Sequence, residues 1–397
     1  IGTGSKQRRS TMKLLLLFLM IMASTTLVMA TCPSYSSIFS FGDSVTDTGN
    51  RKLISSTNIC SPPPYGQTYF HHPTGRCSDG RLIIDFIAES LGIPMVKPYL
   101  EIKNGVLKNN PAKEGANFAV VGATALDDSF FKERGAYDHP HSYSLSIQLN
   151  WFKDLLSTLC NSSESCHEVL KNSLFLVGEI GGNDFNYPLF KRRSIEEVKE
   201  YIPHIIKSIV SSIKELIDLG ASTLLIPGMF PKGCNSVYLS IYETKDMNQY
   251  DSFGCLKWLN EFCESYNQKL QYEIFNLGKI HPHAKLIYAD YYKAALSLYQ
   301  NQSKFGFIGL KTCCGKGGRY NLSVNQTCGM PSVNACDDTS KYISWDGLHL
   351  TEAAYRLMAD GVIKGSYTLP KFSIFPSKKP TEKHSFKKRS LPRHGRI

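Results

Sequence analysis

Two distant segments of the chain contain a serine, an aspartate and a histidine that could act together in nucleophilic catalysis. Ser44 ends the sequence Phe-Gly-Asp-Ser near the start of the chain, whereas Asp346 and His349 stand three residues apart near its end. In such a system the histidine takes the serine proton, and the aspartate fixes the histidine tautomer and stabilises the imidazolium. Only a closed globular fold can bring these segments together.

Each candidate residue also has an ordinary structural interpretation. Ser44 suits a turn or helix cap, His349 a buried core position and Asp346 a helix N-cap. Gly122, in a run of small residues, suits tight packing, and Asn183, after two glycines, suits a turn. Because all of these interpretations would have to hold at once, a catalytic site is the better hypothesis.

The strand pattern places these residues where a parallel sheet gathers its active site. Ser44 follows the first predicted strand, Asn183 follows the second, and Asp346 and His349 precede a helical pattern at residues 351–358. Ligands bind at the carboxyl ends of the strands in open α/β sheets. We therefore expect the three segments to meet at one edge of the sheet.

Alternating strands and helices predict the fold class. Since strand–helix–strand repetition implies parallel pairing, we expect an α/β fold, namely a three-layer α/β/α sandwich with a central parallel sheet. One long helix is predicted from a capping box at Ser194 to Gly220, with a kink at Pro203. The predicted strands are residues 37–41, 174–178, 222–226 and 285–288.

The first 30 residues have the pattern of a leader that is removed. The pattern has a basic start at Met12-Lys13, an apolar run over 14–23 and small residues at positions −3 and −1 of a cleavage site after Ala30. These features match a secretory signal peptide. The run is shorter than the roughly 20 apolar residues that a membrane span needs, so stable membrane insertion is not expected. The predicted destination is the extracellular space, with the vacuole as the alternative.

The net charge of +11 is concentrated at the two ends of the chain. Residues 1–13 contribute +4 and residues 371–397 contribute +8, which leaves −1 for residues 14–370. The body of the chain therefore has no basic field that would attract nucleic acid. Because no linker-like break interrupts the body, residues 31–370 are expected to form one domain, followed by a basic disordered tail at 371–397.

Cysteines and sequons agree with passage through the secretory pathway. All 12 cysteines follow the predicted cleavage point, and an even count in a secreted chain favours disulfides. Cys160 and Cys166 are close enough to bridge locally, and the four cysteines within 313–336 are expected to staple a long loop in pairs that the sequence leaves open. Neither C-x-x-C nor H-E-x-x-H occurs, so no zinc site is expected. N-glycans are expected at the four sequons, Asn161, Asn301, Asn321 and Asn325.

The segments with the candidate residues resemble, in order, the conserved blocks of the plant GDSL esterase/lipase family of the SGNH hydrolase superfamily. The resemblance spans residues 35–365, and Val45 stands where the family name has Leu, which leaves the chemistry unchanged. The cysteine-rich segment and Trp345 also resemble the plant branch. The matched segments are Phe41–Asn50, Gly115–Ala123, Gly181–Asp184 and Asp346–His349.

The resemblance implies a role for each candidate residue in a flavodoxin-like fold. Ser44 would be the nucleophile, His349 the general base and then acid, and Asp346 its partner. The oxyanion hole would use the backbone N–H groups of Ser44 and Gly122 and the side-chain amide of Asn183. The implied reaction is acyl transfer from an ester to Ser44 followed by hydrolysis, with no metal or organic cofactor.

The substrate is expected to depend on loops between the blocks, at residues 60–76, 127–145 and 230–255. The chain is most similar to the branch that contains acetylajmalan esterase and sinapine-esterase-like enzymes. We therefore expect a monomeric, secreted carboxylester hydrolase for short-chain or specialised-metabolite esters, such as acetylated alkaloids or phenolic esters. A lipase or acyltransferase with the same triad, and an inactive secreted binding glycoprotein, remain alternatives. An α/β-hydrolase is disfavoured because no serine lies in a G-x-S-x-G sequence.

Overall fold

The structure, a computed structural model, describes residues 35–55, 59–105, 111–136, 143–160, 162–323 and 325–372. The predicted leader, the sequon at Asn161 and residues 373–397 of the predicted tail lie outside these ranges. Within them, no helix combines the length and the apolar character that a membrane crossing requires.

A six-stranded sheet runs through the described chain, with the strands β1 (Ser37–Phe41), β2 (Gly115–Asn117), β3 (Ser173–Val177), β4 (Thr223–Pro227), β5 (Lys285–Ala289) and β6 (Thr368–Leu369). Their order across the sheet is β2–β1–β3–β4–β5–β6. The neighbours from β2 to β5 pair in parallel, and β6 joins β5 antiparallel. The predicted α/β class is therefore confirmed, with a mostly parallel sheet.

Helices pack against both faces of this sheet. Successive strand residues point to opposite faces, so Phe39 and Phe175 lie in one buried apolar cluster and Ile38 and Leu174 lie in the other. The described α-helices are α1 (Asn50–Ile54), α2 (Ile83–Leu91), α3 (Tyr99–Lys103), α4 (Asp128–Glu133), α5 (Leu145–Leu159), α6 (Ser163–Lys171), α7 (Gly182–Phe190), α8 (Ile195–Lys199), α9 (Ile202–Leu219), α10 (Ser236–Ile241), α11 (Lys257–Ile280), α12 (Tyr291–Gln300), α13 (Gln302–Phe305) and α14 (Glu352–Ile363).

Three layers follow from the side chains that these helices bury. Helices α5, α9 and α11 contribute Phe152, Ile205 and Tyr266 to the cluster on the first face. Helices α2 and α14 contribute Ile87 and Tyr355 to the cluster on the second face. The sheet therefore lies between two helical layers, as the strand–helix alternation predicts.

The prediction of a single helix over 194–220 is wrong, because the segment forms two helices. Ser194 caps a short helix, α8, through a hydrogen bond from the Glu197 N–H to its hydroxyl (3.2 Å), and a separate helix, α9, begins at Ile202. Pro203 lies in the first turn of α9, where a residue without an N–H costs no hydrogen bond. The proline therefore marks the start of a helix and not a kink. Gly220 ends α9 with a left-handed φ of 118°, as predicted.

Five disulfides join cysteines of the described residues. Cys160 and Cys166 form the predicted local bridge, and the late loop is stapled by two nested bridges. Cys263 is buried without a disulfide partner among the described residues, and burial raises the pKa of its thiol to about 12. The other pairs are Cys60–Cys77, Cys234–Cys255, Cys313–Cys336 and Cys314–Cys328.

The described sequon asparagines differ in how accessible they are. Asn301 and Asn325 are exposed. Asn321 is half-buried, and its side-chain amide nitrogen, the atom to which a glycan would attach, donates to the Thr312 carbonyl (3.0 Å). Asn301 and Asn325 are therefore the better candidates for modification among these three.

Candidate active site

A glycine turn at the end of β1 presents Ser44 at the carboxyl edge of the sheet. Gly42 has a φ of 148°, and a Cβ atom there would lie 2.8 Å from the Glu179 carbonyl oxygen, so no larger residue fits. The Asp43 N–H donates to that same carbonyl (3.0 Å). The loop after β3 therefore packs directly against the turn that carries the candidate nucleophile.

The structure brings Ser44, His349 and Asp346 into one hydrogen-bonded line. The distance from Ser44 Oγ to His349 Nε2 is 2.8 Å, and the distance from His349 Nδ1 to Asp346 Oδ2 is 2.7 Å. Ser44 and His349 are 6% and 3% exposed, so bulk water is largely excluded. These are the contacts that a serine–histidine–aspartate catalytic triad needs.

Helix α14 begins just after the turn that carries the acid and the base. Thr351 caps the helix by accepting from the Ala354 N–H (3.3 Å), and the Trp345 N–H donates to the His349 carbonyl (2.8 Å). Asp346 closes the turn between Trp345 and Thr351, because its Oδ1 accepts the His349 N–H (2.8 Å). Local hydrogen bonds thus place the imidazole and the carboxylate before any substrate binds.

Asp346 is a buried carboxylate with four hydrogen-bond donors. Oδ1 accepts the backbone N–H groups of Leu348 and His349, and Oδ2 accepts His349 Nδ1 and the Tyr65 hydroxyl (2.8 Å). Burial alone would raise the pKa of Asp346, but the positive charge of His349 and the hydrogen bonds from His349 and Leu348 outweigh it and lower the pKa to about 2. The group therefore stays ionised at physiological pH.

Tyr65 is a site residue that the sequence reasoning missed, because it was noted only as one of several loop aromatics. Burial and the nearby Asp346 charge raise the pKa of the Tyr65 phenol well above its usual value, so the phenol remains a donor. Its ring meets Trp345 edge to face at 5.8 Å. No local spacing signals this contact, since 281 residues separate the two partners.

A disulfide holds the Tyr65 loop behind the histidine. Cys60 and Cys77 close this loop, and their sulfurs and a ring nitrogen of His349 lie within 4.8 Å of one another. Both sulfurs are bonded to each other, so neither is a thiolate that could bind a metal ion. The disulfide therefore fixes the loop beside His349 and offers no metal ligand.

Asn183 and the turn at Gly122 lie together on another side of Ser44. The Asn183 side-chain nitrogen, in the first turn of α7, donates to the Ala123 carbonyl (2.9 Å) and lies 3.3 Å from Asp43 Oδ2. The Tyr187 hydroxyl donates to the Gly122 carbonyl (2.7 Å). These bonds attach the predicted oxyanion-hole segments to each other and to the turn that carries Ser44.

A buried chain of polar groups orients the Asn183 amide. The Lys232 ammonium donates to Asn186 Oδ1 (2.6 Å), which also accepts the Tyr238 hydroxyl. The Asn186 amide then donates to Asn183 Oδ1 (3.0 Å). Because Asn183 Oδ1 accepts this bond, the NH₂ group of Asn183 faces Ala123 and the turn that carries Ser44. The sequence reasoning also missed this chain, in which Lys232 and Tyr238 lie 46 and 52 residues after Asn186.

Two buried carboxyl groups beside this chain, Asp43 and Glu179, have raised pKa values. Burial raises the pKa of both, and the Glu179 charge raises that of Asp43 further, whereas Lys232 acts in the opposite direction on each. Together with Ser44 and His349 they line a cavity of about 30 Å³, the share of one water molecule. This cavity has no room for an acyl chain.

Asp184 and Asp47 fix the loops around the site through backbone hydrogen bonds. The Asp184 carboxyl accepts the N–H groups of Ala125 (2.8 Å) and Leu126 (3.0 Å), and burial nevertheless raises its pKa to about 7. Burial likewise raises the pKa of Asp47 to about 6, although it accepts several N–H groups that act against the shift, including that of Val121 (2.9 Å). Both acids tie the Gly122 segment to neighbouring elements.

An open groove of about 790 Å³ lies beside the triad, and we call it the triad groove. Its wall is mainly apolar and includes Phe190, Val237 and Leu322, and it reaches Asp346 and His349. Most aromatic residues of the loops that we expected to determine substrate choice do not line this groove. Tyr69 and Phe70 cover the guanidinium groups of arginines, Phe130 and Phe131 pack in or on the core, and Tyr137 and His139 lie outside the described residues.

Comparisons with known proteins agree with the family that the motifs predict. A family model described as GDSL-like Lipase/Acylhydrolase matches residues 38–362. The chain is 51% identical over 347 residues to a GDSL esterase/lipase of Arabidopsis thaliana, covering 86% of each chain. A second GDSL esterase/lipase of that plant is 50% identical over 90% of this chain and 92% of its own. Sinapine esterase of Brassica napus is 48% identical over 91% of this chain and 94% of its own. The predicted resemblance to plant GDSL esterase/lipases is thereby confirmed.

Proposed function

Because the chain belongs to the GDSL-like lipase/acylhydrolase family and is a carboxylic ester hydrolase, we propose that Ser44, His349 and Asp346 hydrolyse short-chain or specialised-metabolite esters. The observation that carries the assignment of these residues is the hydrogen-bonded line from Ser44 Oγ through His349 to Asp346 Oδ2. The esters we have in view are acetylated alkaloids or phenolic esters. A small-molecule ester is then the only partner that the reaction needs besides water.

In this mechanism Asp346 sets the tautomer of His349. The carboxylate accepts a hydrogen bond from the Nδ1–H group, so the proton stays on Nδ1 and the Nε2 lone pair faces the Ser44 hydroxyl. Nε2 takes the hydroxyl proton while Oγ bonds to the ester carbonyl carbon. The imidazolium then returns the proton to the alkoxide as the C–O bond breaks, so the alcohol leaves and an acyl-serine remains. Water repeats these steps, and the carboxylic acid leaves.

The negative charge that develops on the carbonyl oxygen needs donors. We assign the backbone N–H groups of Ser44 and Gly122 and the Asn183 amide, whose orientation the Asn186 bond supports. Both N–H groups of the amide have partners in the structure, so we expect the longer bond, to Asp43 Oδ2 (3.3 Å), to be exchanged for the oxyanion while the bond to Ala123 holds the amide in place.

The preference for short acyl groups is supported by the lack of space behind Ser44 and by the place of α4. The cavity of about 30 Å³ beside the nucleophile holds no chain, and a long acyl group would have to lie in the open triad groove. In the segment at 127–145, which could supply a lid, Phe131 is fully buried and Phe130 packs on Tyr201. A helix anchored to the core in this way does not act as an interfacial lid.

We further propose that residues 31–370 form the mature domain, a monomer that is secreted to the apoplast or the vacuole. Five disulfides support an oxidising compartment, and the family match over 38–362 supports one domain. N-terminal sequencing and intact-mass analysis of protein secreted by a eukaryotic host test both the cleavage after Ala30 and the glycans. Retention of residues 14–23 in a membrane fraction would contradict the leader.

The direct test of the proposed function is hydrolysis of an ester panel by the purified secreted protein, with acetyl, butyryl, long-chain, feruloyl and alkaloid esters. Ser44→Ala should abolish both turnover and labelling by a fluorophosphonate probe. Ser157→Ala, an exposed helix serine, is the matched control and should change neither. Absence of labelling in the wild-type protein would favour an inert binding glycoprotein. Faster transfer to an added alcohol than to water would favour an acyltransferase.

A further inference from the structure

Two buried carboxyl groups, those of Asp43 and Glu179, lie beside the oxyanion-hole amide, and the esterase mechanism gives their charge no role. A side-chain hydrogen bond joins the two carboxyl groups. Since an ionised carboxyl group has no hydrogen to donate, one of the two must carry a proton for this bond to form. The Asp43–Glu179 pair therefore carries at most one negative charge.

The surroundings of Glu179 favour a negative charge. Its Oε1 lies against the first residue of α7, because a Cβ atom added to Gly182 would lie 2.9 Å from it. The start of a helix carries partial positive charge, and the Lys232 ammonium donates to the Gly182 carbonyl (3.3 Å) at the same place. Burial raises the pKa of Glu179, but the charges of Lys232 and His349 act against that rise. Glu179 is thus the carboxyl group that has positive charge around it.

The surroundings of Asp43 disfavour a second negative charge. Burial and the charge of Glu179 raise the pKa of Asp43 well above its usual value, and the charge of Asp184 adds to this rise. The Val45 N–H, which donates to Asp43 Oδ1 (3.0 Å), and Lys232 act against it. Asp43 therefore lies between two other acids and is the member of the pair that holds the proton more firmly.

The contact between Asp43 and Asn183 has the length of a weak hydrogen bond. The Asn183 side-chain nitrogen lies 3.3 Å from Asp43 Oδ2, but only 2.9 Å from the Ala123 carbonyl oxygen. Hydrogen bonds to an ionised acceptor are shorter and roughly twice as strong as those to a neutral one. A carboxylate at Asp43 would hold the amide closely, whereas the long contact suits a neutral carboxyl group.

The other titratable groups that face the pair do not supply a further charge near neutral pH, apart from Lys232, Asp184 and the triad. Four phenols and one thiol are buried near Asp43 or Glu179, and burial raises the pKa of each, so these groups stay protonated and neutral. They are Tyr238, Tyr266, Tyr291, Tyr355 and Cys263.

We propose that Glu179 is the charged member of the pair, balanced by Lys232, and that Asp43 is a neutral acid that positions the Asn183 amide and releases it to the oxyanion. The proposal rests on the oxyanion hole assigned above. The proton of the pair stays in place, and one N–H of Asn183 exchanges Asp43 Oδ2 for the carbonyl oxygen of the tetrahedral intermediate. A charged Asp43 would retain the amide and repel the oxyanion, so the hole would lose up to the roughly 10²–10³-fold contribution of one donor.

Two amide substitutions test which member of the pair is charged, because each removes one carboxyl group and leaves the other. Asp43→Asn reproduces the neutral form, since its carbonyl oxygen can accept the Val45 N–H and its NH₂ group can donate to Glu179. We expect kcat for p-nitrophenyl acetate at neutral pH to fall less than about tenfold, with KM little changed. Glu179→Gln leaves Asp43 as the carboxyl group of the pair beside Lys232, so Asp43 ionises more readily and kcat should fall by more than about tenfold.

The pH dependence separates this charge effect from lost structure. The ratio of kcat in Glu179→Gln to wild-type kcat should rise as pH falls, because protonation restores a neutral Asp43, whereas a structural defect lowers the ratio equally at every pH. Glu179→Asp keeps the charge and should retain a higher kcat than Glu179→Gln at neutral pH. Glu196→Gln makes the same chemical change at an exposed helix residue and is the matched control. Thermal unfolding of each variant reports whether it folds.

The outcomes distinguish this inference from the proposed function. A loss in Asp43→Asn that equals or exceeds the loss in Glu179→Gln, or a Glu179→Gln ratio that does not change with pH, would overturn the inference alone. If Asp43→Asn does not fold, the pH dependence of Glu179→Gln decides by the same criterion. A wild-type protein that hydrolyses no ester and resists the fluorophosphonate probe would overturn the proposed function, and the inference with it.

Discussion

Replacing Tyr65 by phenylalanine removes a single hydroxyl group from beneath the triad and leaves the aromatic ring in place. That hydroxyl donates to Asp346 Oδ2 at 2.8 Å, on the same oxygen that accepts His349 Nδ1. The ring contact with Trp345 does not involve the hydroxyl. The substitution therefore tests whether a residue that does not touch the substrate positions the acid of the triad.

The structure limits the size of the effect. A buried hydrogen bond to a charged group is worth about 1.5–3 kcal/mol, and Asp346 would keep its bonds from Leu348 N–H, His349 N–H and His349 Nδ1. Losing one donor should raise the pKa of Asp346 from about 2 towards its ordinary value, so the group stays ionised at neutral pH. We expect kcat to fall about three- to tenfold, far less than the ~10⁴-fold loss that follows when the acid of such a triad becomes an amide.

The assay is kcat and KM for p-nitrophenyl acetate across the acidic range, together with thermal unfolding. The lowered pKa of Asp346 gives stability that is present above about pH 4 and lost as pH falls through about 2. Tyr65→Phe should therefore become unstable at a higher pH than the wild type. Tyr69→Phe, in the same loop but 44% exposed, is the control and should match the wild type. Wild-type kcat and acid tolerance in Tyr65→Phe, or a loss equal to that of Asp346→Asn, would refute the positioning role.

Three further predictions concern the oxyanion hole, pH and acyl length. Asn183→Ala should lower kcat about 10²–10³-fold with little change in KM; an unchanged kcat would remove the amide from the mechanism. The pKa of Asp184 is raised from 3.8 to about 7, so its contribution to stability is fully present below the unfolded value and is lost as pH rises through about 7. Calorimetry should show the melting temperature falling between about pH 4 and about pH 7, and less steeply in Asp184→Asn; equal slopes would contradict this. For p-nitrophenyl esters, kcat/KM should be highest for acetyl and fall with chain length, and a rate jump above the solubility limit would indicate a lipase.

Local signals explain which parts of the fold could be predicted from the sequence. The strand at Ser173–Val177 is fully buried, and its continuous apolar run from Leu174 to Val177 carries the full signal. Helix α14 begins at its Thr351 cap as the pattern predicts. The strands β2 and β6 have three and two residues, too few for any periodicity to appear. Pro203 was misinterpreted because the same residue can kink a helix or begin one, and only the break before Ile202 decides between the two.

The candidate site likewise contains residues that the sequence could predict and residues that it could not. Ser44, Asp346 and His349 lie in short motifs at a strand end and before a helix, so topology alone predicts that they meet. Tyr65 and the Lys232–Asn186 contact carry no motif, because their positions depend on loops that fold back from distant parts of the chain.

The central claim is that the acyl group passes through Ser44, and trapping that intermediate tests it most directly. The purified protein would be mixed with p-nitrophenyl acetate, quenched in acid during the first turnover and mapped by peptide mass spectrometry. We predict an acetyl group on Ser44, no such adduct in Ser44→Ala, and accumulation of the adduct in wild-type protein before steady state if deacylation is the slower step. An acetyl group on another residue with Ser44 unmodified, or turnover by Ser44→Ala close to the wild-type rate, would contradict the account.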